Sequence, residues 1–263
     1  MDTLIFGAGH LGRAIADALV VRGEPVPALL GRPGPDGRDP AELPAADVVF
    51  DASRGDAVYA NVAAAIDAGG RRFVIGTTGW DMDRPDVETL LARHGASAVA
   101  AANLSIGVVL FGRLVEQAVR MFGPFEDVDP YLVEWHRRSK VDRPSGTARD
   151  LVRRVLATHP RKRRLAEPGS DRPPAPDELE LAVIRAGASP GMHLVGFDSP
   201  GETVELRLTA RDRSAYAAGA LAAADWLLAE PRSAGIHPFD VVVDDRLGTP
   251  EPPSIGRPLV ASG

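Results

Sequence analysis

The amino-acid sequence predicts an α/β protein, with a doubly wound parallel sheet followed by an inserted α+β segment that carries an open mixed sheet. Three observations point there. Short apolar runs alternate with helical patterns from Thr3 to Ala101, as strand–helix–strand units require. The first run ends in Gly7-Ala8-Gly9-His10-Leu11-Gly12 and leads into a helix, which is the context of a dinucleotide-binding turn. Beyond Met121 the pattern changes to alternating strands separated by turn residues.

Taken in order, Thr3–Phe6 is the first strand. The helix after it places Ile15, Leu19 and Val20 on one face and stops at Gly23. Val26–Leu30 is the second strand, and residues 33–46, rich in Pro, Gly and Asp, form a surface loop. Asp47–Phe50, Arg72–Ile75 and Ala98–Ala101 continue the sheet, with helices at Val58–Ala68 and Asp86–His94 between them. Leu104–Met121 has helical periodicity and leads out of this unit. Tyr131–His136 reads as a strand and Ala148–Ala157 as a helix. Residues 160–178 are a loop whose Arg161–Arg164 run reads as solvated surface. Leu179–Arg185, His193–Asp198 and Thr203–Ala210 are strands of an open sheet. Ala215–Leu228 is an Ala-rich helix, and the Pro-rich end of the chain contains a strand-like Val241–Val243.

Composition narrows the class. With 44% apolar and 25% charged residues over 263 positions, the chain can bury a full core. A net charge of −6 argues against nucleic acid as a partner. No apolar run is long enough for a membrane span, and Met1 runs directly into a strand, so a cytoplasmic enzyme is expected. Without cysteine there is no disulfide, thiolate nucleophile or cysteine metal site. The six histidines are scattered without an i, i+4 pair, so no metal is expected.

The chemistry sits at strand ends. Gly7 permits the tight turn, Gly9 admits a pyrophosphate to the backbone, and Gly12 lets helix and strand pack closely. An NAD-preferring turn of this kind has a carboxylate at the end of the second strand. Here Gly31-Arg32 stands there instead, and a guanidinium suits a 2′-phosphate, favouring NADPH with NADH possible. Ser53-Arg54, Gly76–Gly79 and Ala102–Ser105 also follow strands at the edge where ligands of such sheets bind.

The densest cluster is Glu134–Ala148. His136 is the natural proton donor. Lys140 and the neighbouring arginines offer cations to an anion, and Ser145-Gly146-Thr147 offers hydroxyls and free N–H groups before a helix. For any one of these residues, a solvated strand running into an ordinary helix cap is the plainer reading. Together they point to an anion site.

The ordered set GTTG (76–79), AANLSIGV (101–108), EWHRRSKVDRPSGTA (134–148), RAGASPGMH (185–193) and RDRSAYAAGA (211–220), with GAGHLGR (7–13) and DASR (51–54), resembles the dihydrodipicolinate reductase family over nearly the whole chain. The resemblance implies a Rossmann-type domain of residues 1–105 completed by 214–263, with 106–213 forming a substrate-binding and oligomerisation domain. It also implies a homotetramer and hydride transfer from NADPH or NADH to a small anionic cyclic imine. In that likeness His136 matches the family's acid, Lys140 its assisting cation, and Ser145, Gly146 and Thr147 its carboxylate-binding turn. Gly76, Thr77 and Thr78, with Ala102, Asn103 and Leu104, match the nicotinamide lining, while His10, Leu11, Ser53 and Arg54 complete the cofactor side. The chain departs from the family pattern at Arg137, where a second, substrate-contacting histidine is usual, and at Ser139, Arg143, Leu104, Leu208 and Trp135. Three functions follow as alternatives. They are the lysine and diaminopimelate pathway reductase, a paralogue acting on another cyclic imine in specialised metabolism, and a non-catalytic NADPH-binding protein.

Overall fold

The computed structural model describes residues 1–32, 39–169 and 171–248. The expected loop at 33–46 and the expected return of the chain end to the first sheet therefore fall partly outside the described residues.

The first sheet grows from β1 (Thr3–Phe6), β2 (Ala28–Leu30), β3 (Val48–Asp51), β4 (Arg72–Ile75), β5 (Ser97–Ala100) and β11 (Gly235–Pro238). Its order is β11-β5-β4-β3-β1-β2 with every pairing parallel. The chain thus moves outward from β1 in both directions, and β1 and β3, paired side by side, mark the switch point where the connections after them leave to opposite faces and ligands of such sheets bind. Strand alternation divides the core. Ile5, Phe50, Val74 and Val99 face α1 (His10–Val21), α6 (Ser214–Ala229) and α7 (Phe239–Leu247). Leu4, Phe6, Val49, Phe73 and Ile75 face α2 (Val58–Asp67) and α3 (Arg84–Arg93). Burial on both faces explains why these strands read as unbroken apolar runs.

Helix α4 (Ile106–Phe122) leads to a five-stranded sheet ordered β10-β9-β6-β8-β7. Its members are β6 (Asp129–His136), β7 (Arg164–Leu165), β8 (Glu178–Arg185), β9 (Met192–Asp198) and β10 (Thr203–Thr209). Pairings β6–β8 and β7–β8 are parallel, while β6–β9 and β9–β10 are antiparallel, so the sheet is mixed. One face packs on α4 and α5 (Gly146–Thr158) through Val115, Val119, Leu132, Leu151, Val155 and Val195. The fold class expected from the sequence is the one found.

Several details differ from the sequence reading. Val241–Val243 belongs to α7 rather than to a strand. Phe239, Val242 and Val243 bury a helical face, and this spacing outweighs the β-propensity of three consecutive valines. Val20 is 51% exposed, so α1 buries Ile15 and Leu19 without it, and β2 begins at Ala28 because Val26 is 85% exposed. The Arg161–Arg164 run is solvated only in part: Arg163 and Arg164 are exposed, while Arg161 and Lys162 are drawn into the structure. Lys162 is only 4% exposed, its Nζ donating to the Glu178 carbonyl at 2.7 Å and pairing with Asp129 at 2.5 Å. Arg161 donates to the carbonyls of Gly123 and Phe125 at 2.9 and 2.7 Å. Long side chains reaching across to buried carbonyls are invisible to a reading of local charge.

Among the described residues no helix is long and apolar enough to cross a membrane.

Candidate active site

The glycine turn is built as its sequence requires. A Cβ at Gly12 would lie 1.9 Å from the Gly7 carbonyl oxygen, and one at Gly7 (φ +102°) would lie 2.3 Å from that of Ala52. These two glycines therefore set how closely α1, β1 and the end of β3 approach. Gly9 is different: nothing lies within 4 Å of its added Cβ. It also caps α1 without a side-chain hydrogen bond, leaving the helix N-terminus open to an anion. A pyridine dinucleotide fits this cradle, since the two tight glycines shape the turn and the third leaves room in front of it. The Gly7 N–H donates to the Leu30 carbonyl at 2.8 Å, which brings the end of β2, and exposed Arg32 two residues on, beside the turn.

Opposite, the loops after β3 and β4 are tied together by one buried carboxylate. Asp51 accepts hydrogen bonds from the Ser53 N–H and hydroxyl at 3.1 and 2.8 Å, Asn61 at 2.9 Å and the Thr77 hydroxyl at 2.5 Å. Ser53 and Thr77 thus turn inward, while Arg54 pairs with exposed Asp56 at 2.7 Å. His10 and Thr78 are exposed and Leu11 half-buried. Side chains of Leu11 and Leu104 would meet a Cβ at Gly76 at 3.0 and 3.2 Å, so these residues close one wall of the crevice.

The crevice continues into the second sheet through Asn103. Its Oδ1 accepts from the Ser105 N–H at 2.9 Å, and its Nδ2 donates to the Thr147 hydroxyl at 3.3 Å. The loop Ala102–Leu104 and the turn Ser145–Thr147 are therefore neighbours. Ser145 caps α5, its hydroxyl accepting from the Ala148 N–H at 3.1 Å, and its own N–H donates to Glu134 at 3.1 Å. The N–H groups left for an anion at this helix start are those of Gly146 and Thr147.

His136, at the end of β6, lies next to this turn. Glu134 and His136 are two apart on a strand and so share a face, and His193 is paired across from Glu134 on β9. The rings of His136 and His193 meet edge-on at 5.2 Å, and His136 Nδ1 is 3.5 Å from Glu134 Oε2. Glu134 is wholly buried and takes Arg185 on Oε1 at 2.7 Å. Burial pushes the Glu134 carboxyl up, but the hydrogen bonds from Ser145 and Arg185 more than offset this, so it stays ionised. Burial holds His136 below the usual imidazole range, Glu134 opposes it, and Lys140 and Arg185 reinforce it. Burial, then His136, pushes His193 down to about 4. Lys140 pairs with Asp142 at 2.6 Å beside the ring.

The reading that scattered histidines exclude a metal site missed this encounter, because Glu134, His136 and His193 bring donor atoms within 4.8 Å of one another. The carboxylate's engagement with Arg185, and Lys140 nearby, make the cluster electrostatically suited to protons rather than to a second cation. Glu134, Arg185 and His193 carried no role in the sequence reading. Two-residue spacing on β6 could have found Glu134, whereas Arg185 and His193 lie inside RAGASPGMH with no local signal of where they go.

The departures from the family pattern sort by place. Arg137 is exposed, its Nε donating to the Ser139 hydroxyl at 3.2 Å. Arg143 donates to the Val183 carbonyl at 2.7 Å, so it braces β8 rather than the pocket. Trp135 points to the other face of the sheet and donates to the Ala186 carbonyl at 2.9 Å. Leu208 stands opposite His193 in the β9–β10 register, so the two share a face of the sheet.

Comparison with known proteins gives the family and the fold. Residues 37–104 match the family described as Dihydrodipicolinate reductase, N-terminus, and residues 107–241 match Dihydrodipicolinate reductase, C-terminus. A 4-hydroxy-tetrahydrodipicolinate reductase of Halorhodospira halophila is 39% identical over 202 residues, 73% of this chain and 72% of that protein. The solved dipicolinate-bound dihydrodipicolinate reductase from Paenisporosarcina sp. TG-14 shares the fold. Its TM-score is 0.65 at 18% identity, covering 90% of this chain and 97% of that one. The chain belongs to the dihydrodipicolinate reductase family of pyridine-nucleotide-dependent oxidoreductases.

Proposed function

We propose that the substrate is the lysine-pathway intermediate 4-hydroxy-tetrahydrodipicolinate, and that the chain reduces with NADPH the conjugated imine left when the 4-hydroxyl departs as water. The observation that carries this reading is the Asn103–Thr147 contact at 3.3 Å, which joins the end of the dinucleotide crevice to the anion-binding turn. When bound, the nicotinamide supplies the hydride. The open N-terminus of α1 binds the pyrophosphate, and Gly76, Thr77, Thr78, Ala102, Asn103 and Leu104 line the far end of the crevice. Gly146 and Thr147 N–H groups hold a substrate carboxylate, Lys140 stabilises the charge that develops, and His136 gives its proton to the β-carbon of the enamine left by hydride addition, restoring the ring C=N bond. A dianionic substrate offsets Lys140 and Arg185 and raises the fraction of protonated His136, so the acid is armed by binding.

In this reading the two sheets are two domains, residues 1–105 with the return from 214, and residues 106–213. The outer face of the mixed sheet, with Val133, Trp135, Ala182, Ile184 and Leu194, is the oligomer interface. These residues alternate with the inward set of their strands and form an apolar strip across it.

Cofactor choice is tested at Arg32. Arg32→Ala raises the KM for NADPH about tenfold or more, the effect of losing ~1–3 kcal/mol of charge-assisted hydrogen bonding, and leaves that for NADH nearly unchanged. Equal effects on both cofactors would remove Arg32 from the 2′-phosphate site.

A further inference from the structure

Among the described residues, four buried side-chain polar atoms lack a hydrogen-bond partner, and three of them, His136 Nδ1, Arg185 Nε and His193 Nδ1, belong to side chains gathered about Glu134. Buried polar groups are otherwise satisfied almost everywhere in proteins, so such a concentration calls for a reason. Glu134 itself is saturated on one side and poised on the other. Oε1 takes Arg185, both oxygens lie within hydrogen-bond reach of the Ser145 N–H, and Oε2 faces His136 Nδ1 at 3.5 Å. Arg185 also donates to the Asp142 carbonyl at 2.6 Å, fastening the loop that carries Lys140. One carboxylate thus touches the imidazole and the start of the anion-binding turn, and reaches the loop of the assisting lysine through one guanidinium.

We propose that Glu134 is the positioning residue of the proton donor, holding His136 by Nδ1 and setting the Ser145–Thr147 turn with the same carboxylate. The proposal rests on the reading of His136 as the acid. A simple counter-ion for Arg185 would need only one oxygen, and the second is the one turned to the imidazole. Oε2 stands 3.5 Å from Nδ1, an ion-pair distance to the protonated ring rather than a hydrogen bond, so charge attraction draws Nδ1 to Glu134 and leaves Nε2 for the substrate. On the other side the ring is confined closely, for a Cβ at Gly191 would lie 2.9 Å from Nε2. The charged and titratable groups that face His136 are Glu134 from its own strand, Lys140 and Asp142 from the loop beyond it, Arg185 from β8 and His193 from β9. Two are cations, two are anions, and His193 is neutral above about 4. Removing the charge of Glu134 leaves the imidazole facing a net cation, which disfavours its protonated form.

The test is Glu134→Gln in the full-length enzyme, read by NMR titration of the His136 ring without ligands and by the pH profile of kcat. The expected midpoint of His136 falls by one pH unit or more. Because a general acid loses activity as pH rises through its own midpoint, the decline of kcat moves to lower pH by a similar amount. Activity then drops tenfold or more near pH 8 and recovers on acidification. In kcat at saturating substrate the double variant Glu134→Gln/His136→Gln is no slower than His136→Gln alone, since both changes act on the proton transfer, while any loss at the Ser145–Thr147 turn is read in KM. Should the glutamine leave Arg185 unpaired and the chain unfolded, Glu134→Asp withdraws the charge by one methylene and moves the midpoint the same way by less. An unmoved His136 midpoint, or a double variant tenfold slower than His136→Gln, overturns the proposal. A moved midpoint with an unmoved kcat profile upholds the hold of Glu134 on the ring and overturns His136 as donor.

Discussion

His136→Gln folds, binds the pyridine nucleotide with native affinity and loses about 10²–10⁴-fold in kcat, the usual worth of a general acid. Glutamine matches the imidazole in reach but cannot release a proton near neutral pH. The structural cost is small because Nδ1 makes no hydrogen bond that the fold depends on, and Glu134 keeps Arg185 and Ser145 as partners. KM changes little if, as proposed, the turn and Lys140 hold the carboxylate. Steady-state kinetics with a parallel cofactor titration checks both halves. A loss below tenfold would take the proton-donor role away from His136.

Gly12→Ala has the next largest effect, and it falls on the cofactor. The added methyl would stand 1.9 Å from the Gly7 carbonyl oxygen, a backbone atom. Gly7 cannot give way easily, because its own Cα packs against the Ala52 carbonyl and its N–H is bonded to Leu30. Helix α1 must therefore lift from β1, and its open N-terminus moves away from the place proposed for the pyrophosphate. Overpacking of this kind costs roughly 1–3 kcal/mol of stability, and displacement of the helix end weakens nucleotide binding tenfold or more. Gly9→Ala is the control: with nothing within 4 Å of its Cβ, it keeps native thermal stability while obstructing the same anion. Calorimetric titration and thermal denaturation of both variants separate the effects. Native nucleotide affinity in Gly12→Ala would show that the turn does not position the cofactor.

The parallel sheet was legible because strands buried on both faces are short apolar runs, and each was closed by glycine or by a polar turn. The longer elements from β1 to α6 were therefore found with ends shifted by a residue or two, whereas the two-residue β7, inside the expected 160–178 loop, and the edge strand β11 were missed. α7 was misread because three adjacent valines carry a strong β signal, and only the burial of Phe239 with Val242 and Val243 against α6 reveals the helix. The same contrast holds at the site. His136, Lys140 and Ser145–Thr147 are close in sequence, and their chemistry shows locally. The partners that set the state of His136 arrive by strand pairing, with Arg185 from β8 and His193 from β9. Register between strands far apart in the chain is not written in any one segment. Arg137 and Arg143 illustrate the reverse: they look alike in sequence and both are exposed, yet one donates to its neighbour Ser139 and the other to the Val183 carbonyl of β8.

The substrate is decided most directly by steady-state turnover of freshly generated 4-hydroxy-tetrahydrodipicolinate with NADPH, wild type beside Arg137→His. If the guanidinium replaces the family's histidine as a permanent cation, wild type turns the intermediate over. Its KM then varies less between about pH 6 and 8 than that of the histidine variant, whose imidazole titrates there. A wild type with negligible kcat/KM, raised tenfold or more (about 1.4 kcal/mol) by Arg137→His, would contradict this and assign the pocket to a different cyclic imine.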